Sequence, residues 1–154
     1  MHLTLLSVGK LKTAPLKELE SEYVKRLQPF AQVDFIMVKE GRSGANRDVI
    51  KQEEAKNLLA KIPSNCFVVV LTEKGKTFDS PGFSQFLDKT ATHGHHHLCF
   101  IIGGCYGLTP EVIDRGTMVL SFSAFTFTHE MIKILLLEQL YRAFTIMHNK
   151  TYHY

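Results

Sequence analysis

The chain has 154 residues, of which 45% are hydrophobic and 21% are charged, and its formal charge is +3 at pH 7. This length predicts one domain with a substantial core, and the ordinary composition excludes a disordered or fibrous protein. The mild basic charge permits a nucleic-acid partner and fits a slightly basic enzyme equally well.

The N-terminal half alternates apolar strands with amphipathic helices. Apolar runs predict strands over Leu3–Val8, Val33–Val38 and Cys66–Thr72. The third run is apolar throughout, which is typical of a sheet covered on both faces. Apolar residues at helical spacing predict helices over about Pro15–Leu27 and Asp48–Ile62. The polar, glycine-containing segment 39–46 is expected to form a loop.

The C-terminal half continues the alternation. Ser80-Pro81 and Thr109-Pro110 each combine a capping side chain with a proline of the first turn, which predicts a third helix and a short fourth one. The histidine tract His93–His97 is expected to form a solvated loop rather than a metal site, because no carboxylates lie near it in sequence. Further elements are predicted at Leu98–Ile102 (strand), Met118–Ser121 (strand) and His129–Met147 (helix). This order implies an α/β fold, a mainly parallel sheet with helices on both faces.

Several features favour an intracellular protein. No apolar run approaches the roughly 20 residues that a membrane-spanning helix needs, and the first lysines follow the first apolar run, the wrong order for a signal peptide. Cys66, Cys99 and Cys105 lie in or beside apolar strands without C-x-x-C spacing, which favours buried, reduced thiols over disulfides or a zinc site. We therefore expect a cytoplasmic protein with no membrane partner and no metal.

Two strand ends in the C-terminal third carry the residues most suggestive of a binding site. The glycines of segment 103–107 have G-G-x-x-G spacing, which does not match the dinucleotide fingerprint and alone fits a tight strand–helix turn. Segment 122–127 (FSAFTF) offers hydroxyls, backbone amides and apolar side chains that can hold an adenine, and it equally fits a capping loop with Thr126 or Thr128 as the cap. Because open α/β sheets bind ligands at neighbouring strand ends, the two loops together predict a cofactor pocket.

The last predicted helix is apolar nearly all round, so it either fills the centre of the fold or packs against a second subunit. Glu138 and Arg142 lie four positions apart on it, as in a structural ion pair, and Arg142 could instead contact RNA. His129 follows the 122–127 loop and precedes the helix, which fits either a helix-terminus histidine or a pocket residue.

The motifs of the C-terminal third occur together in one known family. GGCYGL at 103–108, LSFSAFTFTH at 120–129, EQLYRAFTI at 138–146 and YH at 152–153 resemble the ribosomal RNA methyltransferases that modify N3 of a pseudouridine in large-subunit RNA. That family belongs to the SPOUT superfamily. Weaker similarity at segments 8–12, 23–30 and 71–80 extends the resemblance to nearly the whole chain.

The resemblance implies more than the residues alone do. It implies a C-terminal trefoil knot, which periodicity cannot predict because chains rarely thread loops. It also implies a homodimer formed through the last helix, and ribosomal RNA within the assembled ribosome as partner. The implied S-adenosylmethionine-binding residues are Leu71, Gly103, Phe122, Ser123, Ala124, Phe125, Thr126 and Phe127. The candidate catalytic residues are His129, Arg142, Tyr152 and His153.

The implied reaction assigns these catalytic candidates different roles. N3 of the base lies between two carbonyls and carries a proton that must leave, so a positioned base would help, and His153 and His129 are the candidates by type. Arg142 could instead stabilise charge on the flanking carbonyls. The terminal tail with Tyr152 is implied to close over the site. The target base must be unstacked to be reached.

Three positions depart from the family's usual pattern: Thr128 replaces a proline, Lys133 an arginine, and Tyr154 a terminal basic residue. Two other functional classes remain open from the residues. A nucleotide-binding α/β oxidoreductase would bind NAD and not S-adenosylmethionine. A non-catalytic ribosome-binding module would bind RNA and transfer no methyl group.

Overall fold

Five parallel strands form one sheet, in the order β2-β1-β4-β3-β5, in a computed structural model that describes residues 1–42 and 44–152. The strands are β1 His2–Val8, β2 Gln32–Val38, β3 Phe67–Thr77, β4 His97–Ile102 and β5 Met118–Ser121. The helices are α1 Ala14–Leu27, α2 Arg47–Leu59, α3 Ser80–Thr92, α4 Pro110–Asp114 and α5 His129–Met147. The predicted α/β class with a parallel sheet is confirmed. The trefoil knot stays a prediction, because strand order alone does not establish threading.

Both faces of the sheet are apolar and covered by helices. Along β1, Leu3 and Leu5 pack with α1, α3 and α5 on one face, while Leu6 and Val8 pack with α2 and α4 on the other. β4 alternates in the same way. Alternate side chains of a strand point to opposite faces, so a strand buried on both sides is apolar at most positions, and Thr4 and Ser7 are the buried polar exceptions in β1. This explains the continuous apolar runs in the sequence.

Side-chain caps set the starts of α2, α3 and α5, with a correction at α3. At α4, the predicted cap Thr109 holds the N-cap position but makes no side-chain capping hydrogen bond. Thr128 caps α5, where its Oγ1 accepts a hydrogen bond from the Met131 N–H at 3.2 Å. The cap predicted at Ser80 is wrong: Asp79 caps α3 by accepting from the Gly82 N–H at 2.7 Å. Ser80 lies inside the helix and its hydroxyl donates to Gln139. The Asp79 carboxylate, one residue before Ser80, accepts a hydrogen bond from a free N–H group of the first turn and so takes the capping position.

β3 runs past its predicted end and interrupts its pairing with β5. Leu71 and Lys76 both lie opposite Leu120, so residues 72–75 form an excursion that leaves the ladder and returns to the same partner. Gly75 approaches the Leu120 backbone so closely that a Cβ on Gly75 would lie 2.5 Å from the Leu120 carbonyl carbon. The excursion, defined here as residues 72–75, stands at the carboxyl end of the sheet.

The histidine tract is not wholly a solvated loop. His97 is the first residue of β4, where its Nε2 lies 2.9 Å from Thr4 Oγ1 and its ring stacks on His2 with centroids 4.0 Å apart. The prediction of a solvated loop is therefore wrong for His97. Among the described residues, no group of three or more histidine, cysteine or acidic side chains is arranged to hold a metal ion.

The three cysteines are free thiols with different environments. Cys99 is buried, and burial raises the pKa of its thiol to about 12. Cys66 is half-buried. Cys105 is exposed, so the prediction of buried thiols is wrong there: it follows the end of β4 and lies in the glycine turn rather than in the strand. In the described part of the chain, no helix has the length and hydrophobicity of a membrane span.

Candidate functional site

A cavity of about 550 Å³ lies at the carboxyl ends of β3, β4 and β5, beside the start of α5. Parallel sheets place their ligand sites at this edge, because the loops that leave neighbouring strands converge there. The cavity is bounded by Leu16 and by residues 71–73, 102–105, 107–108, 120, 122–123, 125–130 and 132. It brings together the two loops that the sequence singled out.

Most of the predicted cofactor-binding residues line this cavity. Leu71 in β3 and Gly103, directly after the neighbouring strand β4, form two walls of the cavity. The 122–127 loop forms a third wall. Ala124 is the exception, since it is exposed and does not face the cavity. The residues that do line it are Leu71, Gly103, Phe122, Ser123, Phe125, Thr126 and Phe127.

The glycine turn after β4 is a tight turn as well as a cavity wall. Gly107 has φ +78°, a left-handed conformation that favours glycine, and its N–H donates to the Gly104 carbonyl at 3.1 Å. A Cβ on Gly103 would lie 2.9 Å from Leu108 Cδ2. The absent side chain at Gly103 therefore makes room for Leu108, which itself lines the cavity. Structural and binding roles coincide in this segment.

Hydroxyl groups tie the 122–127 loop to the excursion of β3. Ser121 Oγ lies 3.2 Å from the Glu73 carbonyl and 3.0 Å from the Ser123 carbonyl, so it can donate to either. Ser123 Oγ accepts from the Phe125 N–H at 3.0 Å. Phe125 itself is 79% exposed at the rim. The loop is thus held by its own polar groups, and Phe125 is the most exposed of its three phenylalanines.

Of the three catalytic candidates that the structure describes, one lines the cavity. His129, the first residue of α5, lines it, and His129 Nε2 is buried with no hydrogen-bond partner among the described residues. Arg142 lies 13 positions further along α5, which at 1.5 Å per residue is about 20 Å away. A single chain therefore does not bring these two side chains together. His153 lies outside the described residues.

Arg142 and Tyr152 form a separate cluster around Glu138. Arg142 Nη2 and Nε donate to Glu138 Oε1 at 2.6 and 3.0 Å, as the i,i+4 spacing predicted, and this hydrogen bonding raises the pKa of Arg142. The guanidinium lies 4.8 Å from the Tyr152 ring centroid. The Tyr152 hydroxyl lies 3.4 Å from Glu138 Oε1, and burial raises its pKa to about 12. Tyr152 thus packs on its own chain, a role that the sequence did not suggest.

Some cavity residues escaped the sequence analysis. Glu73 reaches it through the excursion, and Glu130 through the first turn of α5, where it accepts a hydrogen bond from the Lys12 N–H at 2.8 Å. Cys105 lines it from the glycine turn. Segment 8–12 had been noted as a weak motif, and the contacts of Gly9 with His129 and of Lys12 with Glu130 connect it to the site.

Comparison with known proteins assigns the family. A family model described as "Predicted SPOUT methyltransferase" matches residues 1–153. The chain belongs to the SPOUT methyltransferase family. As a SPOUT methyltransferase it is an enzyme, and the motif-bearing loops of the cavity are part of the matched region.

Two curated relatives match this SPOUT methyltransferase over nearly their whole length. They come from Halothermothrix orenii and Carboxydothermus hydrogenoformans, and each is 40% identical over 158 residues, covering 99% of both chains. Both are named "Ribosomal RNA large subunit methyltransferase H".

A solved structure shares the fold at low sequence identity. It is described as "The structure of a probable methylase family protein from Haemophilus influenzae Rd KW20", with a TM-score of 0.54 and 11% identity. The match covers 96% of this SPOUT methyltransferase but 66% of that chain. At this identity the likeness supports the fold alone.

Proposed function

We propose that this chain transfers a methyl group from S-adenosylmethionine to N3 of a pseudouridine in large-subunit ribosomal RNA, and that assembled ribosomes are its substrate. The observation that carries this proposal is the 40% identity, end to end, to relatives named as large-subunit ribosomal RNA methyltransferases. Two of the family's motifs, at 103–108 and 120–129, also converge on one cavity. Family membership argues against the oxidoreductase alternative.

The cavity suits S-adenosylmethionine in size and in chemistry. Its volume of about 550 Å³ falls within the range of small-molecule sites. Leu71, Leu120 and Phe122 give it apolar walls, and the backbone of the 122–127 loop offers polar groups for an adenine edge. Glu73 and Glu130 supply carboxylates that complement a positively charged ligand. When bound, the cofactor would supply a methyl group already activated on a sulfonium.

The chain's own residues then have to hold the base and manage one proton. His129 is the catalytic candidate that the described structure places at the cavity, so we propose it as the base that takes the N3 proton. Arg142 is proposed to stabilise the charge that develops on the carbonyls beside N3. Because Arg142 lies about 20 Å from His129 along α5, it would have to reach the cavity of another subunit.

We therefore propose a two-fold homodimer in which each site draws on both subunits. Large apolar side chains near the cavity are exposed in the single chain, among them Phe125 at 79%, Met131 at 41% and Phe127 at 40%. Leu19 of α1 is 43% exposed as well. Exposed apolar surface of this kind marks association sites. Pairing through α5 would cover it and bring Arg142 and Tyr152 of one subunit towards the cavity of its partner.

The activity is tested with ribosomes that lack the modification. Tritiated S-adenosylmethionine and the wild-type protein should label large-subunit RNA, and nuclease mapping should locate the label at a pseudouridine. Calorimetric titration should show binding of S-adenosylmethionine and none of NAD. Cofactor binding without transfer to ribosomes or free RNA would refute the reaction and favour a non-catalytic ribosome-binding module.

The shared site is tested by mixing two inactive variants. Gly103→Val should disrupt the cofactor cavity, because its branched side chain would push against Leu108, and Arg142→Ala should remove the group supplied by the partner. In a mixed dimer, one site carries both defects and the other carries neither. Random mixing should restore about a quarter of the sites, by the symmetry of a two-fold dimer. No recovery in a mixture shown to exchange subunits would refute the shared site.

A further inference from the structure

Four buried polar side-chain atoms have no hydrogen-bond partner among the described residues: Ser7 Oγ, Thr109 Oγ1, Glu54 Oε2 and His129 Nε2. Glu54 and His129 are the two of these residues that can carry a charge. Glu54 projects from α2 and is only 3% exposed. Its other oxygen, Oε1, accepts from the Gly41 N–H at 3.0 Å. A buried polar atom without a partner is destabilising, and a carboxylate, which accepts, complements an imidazole N–H, which donates.

The contacts of two glycines show that these atoms are close to each other. A Cβ on Gly104 would lie 2.6 Å from Glu54 Oε2, and a Cβ on Gly9 would lie 3.3 Å from His129 Nε2. β1 and β4 pair in parallel up to Ser7 opposite Ile102, and continuing that register sets Gly9 beside Gly104. Neighbouring strands are about 5 Å apart. The two atoms form no direct hydrogen bond, so we expect one bridging water to join the carboxylate and the imidazole.

Other charged groups surround this pair, but they already have partners. Glu40 also approaches Gly9, and its carboxylate pairs with Lys12 at 2.9 Å on the surface. Glu130, beside His129, accepts from the Lys12 N–H at 2.8 Å. Burial raises the pKa of Glu54, and its neighbour His129 acts in the opposite direction. Glu54 Oε2 is the buried carboxylate oxygen of this group that has no partner among the described residues.

We propose that Glu54 is a positioning residue for His129, holding the imidazole through Nε2 so that the ring's other nitrogen, Nδ1, accepts the proton in the methyl-transfer site. A carboxylate that accepts a hydrogen bond from Nε2–H favours the tautomer in which Nδ1 carries no proton and can accept one. The same carboxylate stabilises the imidazolium that forms when Nδ1 is protonated. The N3 proton would pass to Nδ1, the N3 electron pair would form the bond to the methyl carbon, and the bond from that carbon to sulfur would break with its pair on sulfur. The proton then leaves His129 to solvent.

This inference rests on the proposed function, yet one test does not need activity. The tautomer of His129 can be followed by the nitrogen-15 chemical shifts of its ring in the intact protein, with the His129→Ala spectrum identifying its signals. Glu54→Gln keeps the size of the side chain but loses the charge, so the population of the tautomer that carries its proton on Nε2 should fall. Ring shifts identical to those of the wild type would overturn the proposal, even if the wild type transferred no methyl group.

Kinetics separate positioning from a merely structural role. In Glu54→Gln, kcat should fall by about tenfold to a hundredfold and the acidic limb of its pH profile should move to lower pH, while the Kd of S-adenosylmethionine changes less than about threefold. The double variant with His129→Ala should be no slower than His129→Ala alone, because the two residues act as one unit. A further loss in the double variant, or an unshifted profile, would overturn the pairing.

A suppressor pair and a neighbouring residue supply the controls. Gly104→Ala should impair transfer, because the three atoms nearest its Cβ all belong to Glu54, at 2.6, 3.1 and 3.1 Å. In a Glu54→Ala background the same change should cause no additional loss. Glu53→Gln alters the preceding, half-buried carboxylate of α2 and should leave rate and profile unchanged. Equal effects of Glu53→Gln and Glu54→Gln would refute a specific role for Glu54.

Discussion

The close approach of β3 and β5 at Gly75 makes Gly75→Ala the sharpest test of how the cavity is built. A Cβ on Gly75 would lie 2.5 Å from the carbonyl carbon of Leu120 and 2.8 Å from its nitrogen and oxygen. All three atoms are backbone, so no change of side-chain rotamer can relieve the clash. The strand or the excursion must move by several tenths of an ångström, and residues of both line the cavity.

The expected magnitude follows from two opposing effects. Overpacking of this kind costs about 1–3 kcal/mol, and replacing glycine by alanine returns about 0.5–1 kcal/mol through the unfolded chain. We therefore expect Gly75→Ala to lower the free energy of unfolding by about 1–2 kcal/mol. The affinity for S-adenosylmethionine should fall by about tenfold, equivalent to 1.4 kcal/mol, because two walls of the site are displaced.

Urea unfolding and calorimetric titration measure the two effects of Gly75→Ala. Lys74→Ala is a matched control, since Lys74 lies in the same excursion and is exposed, and its effect on stability should stay within about 0.5 kcal/mol. If Gly75→Ala unfolds at the wild-type urea concentration and binds the cofactor with wild-type affinity, the close approach does not shape the site and this reasoning is refuted.

Three further predictions concern thiols, pH and the tail. Cys105 should react rapidly with a maleimide and be protected by S-adenosylmethionine, whereas Cys99, with a thiol pKa of about 12, should react only on unfolding; mass spectrometry distinguishes them. Burial lowers the pKa of His97 below 6.5. The protein should therefore have its full stability above about pH 6.5, and its melting temperature should fall as the pH drops towards the folded-state pKa. His97→Gln should make this fall smaller. Deleting residues 152–154 should leave cofactor affinity unchanged and lower methyl transfer at least about a hundredfold; a truncated protein with full activity on ribosomes would refute a role for the tail.

Much of the architecture could be read from local patterns. The strand Met118–Ser121 and the helix His129–Met147 have the predicted bounds. The continuous apolar run Cys66–Thr72 predicted a sheet covered on both faces, and in β3 Val69 and Leu71 pack on one face while Val68 and Val70 pack on the other. The two motif-bearing loops predicted a cavity, since parallel strands of one sheet deliver their carboxyl ends to one edge.

The tertiary structure alone decided which distant residues meet there. The excursion of β3 depends on Gly75 fitting against Leu120, and no local pattern predicts a contact between those positions. Glu54 occupies a helical position that reads as an ordinary solvated charge, yet the packing of α2 against the glycine turn buries it beside His129. Periodicity in a sequence reports which face of an element is buried. It carries no information about which atoms of another helix or strand contact that face, and the chemistry of this site depends on those contacts.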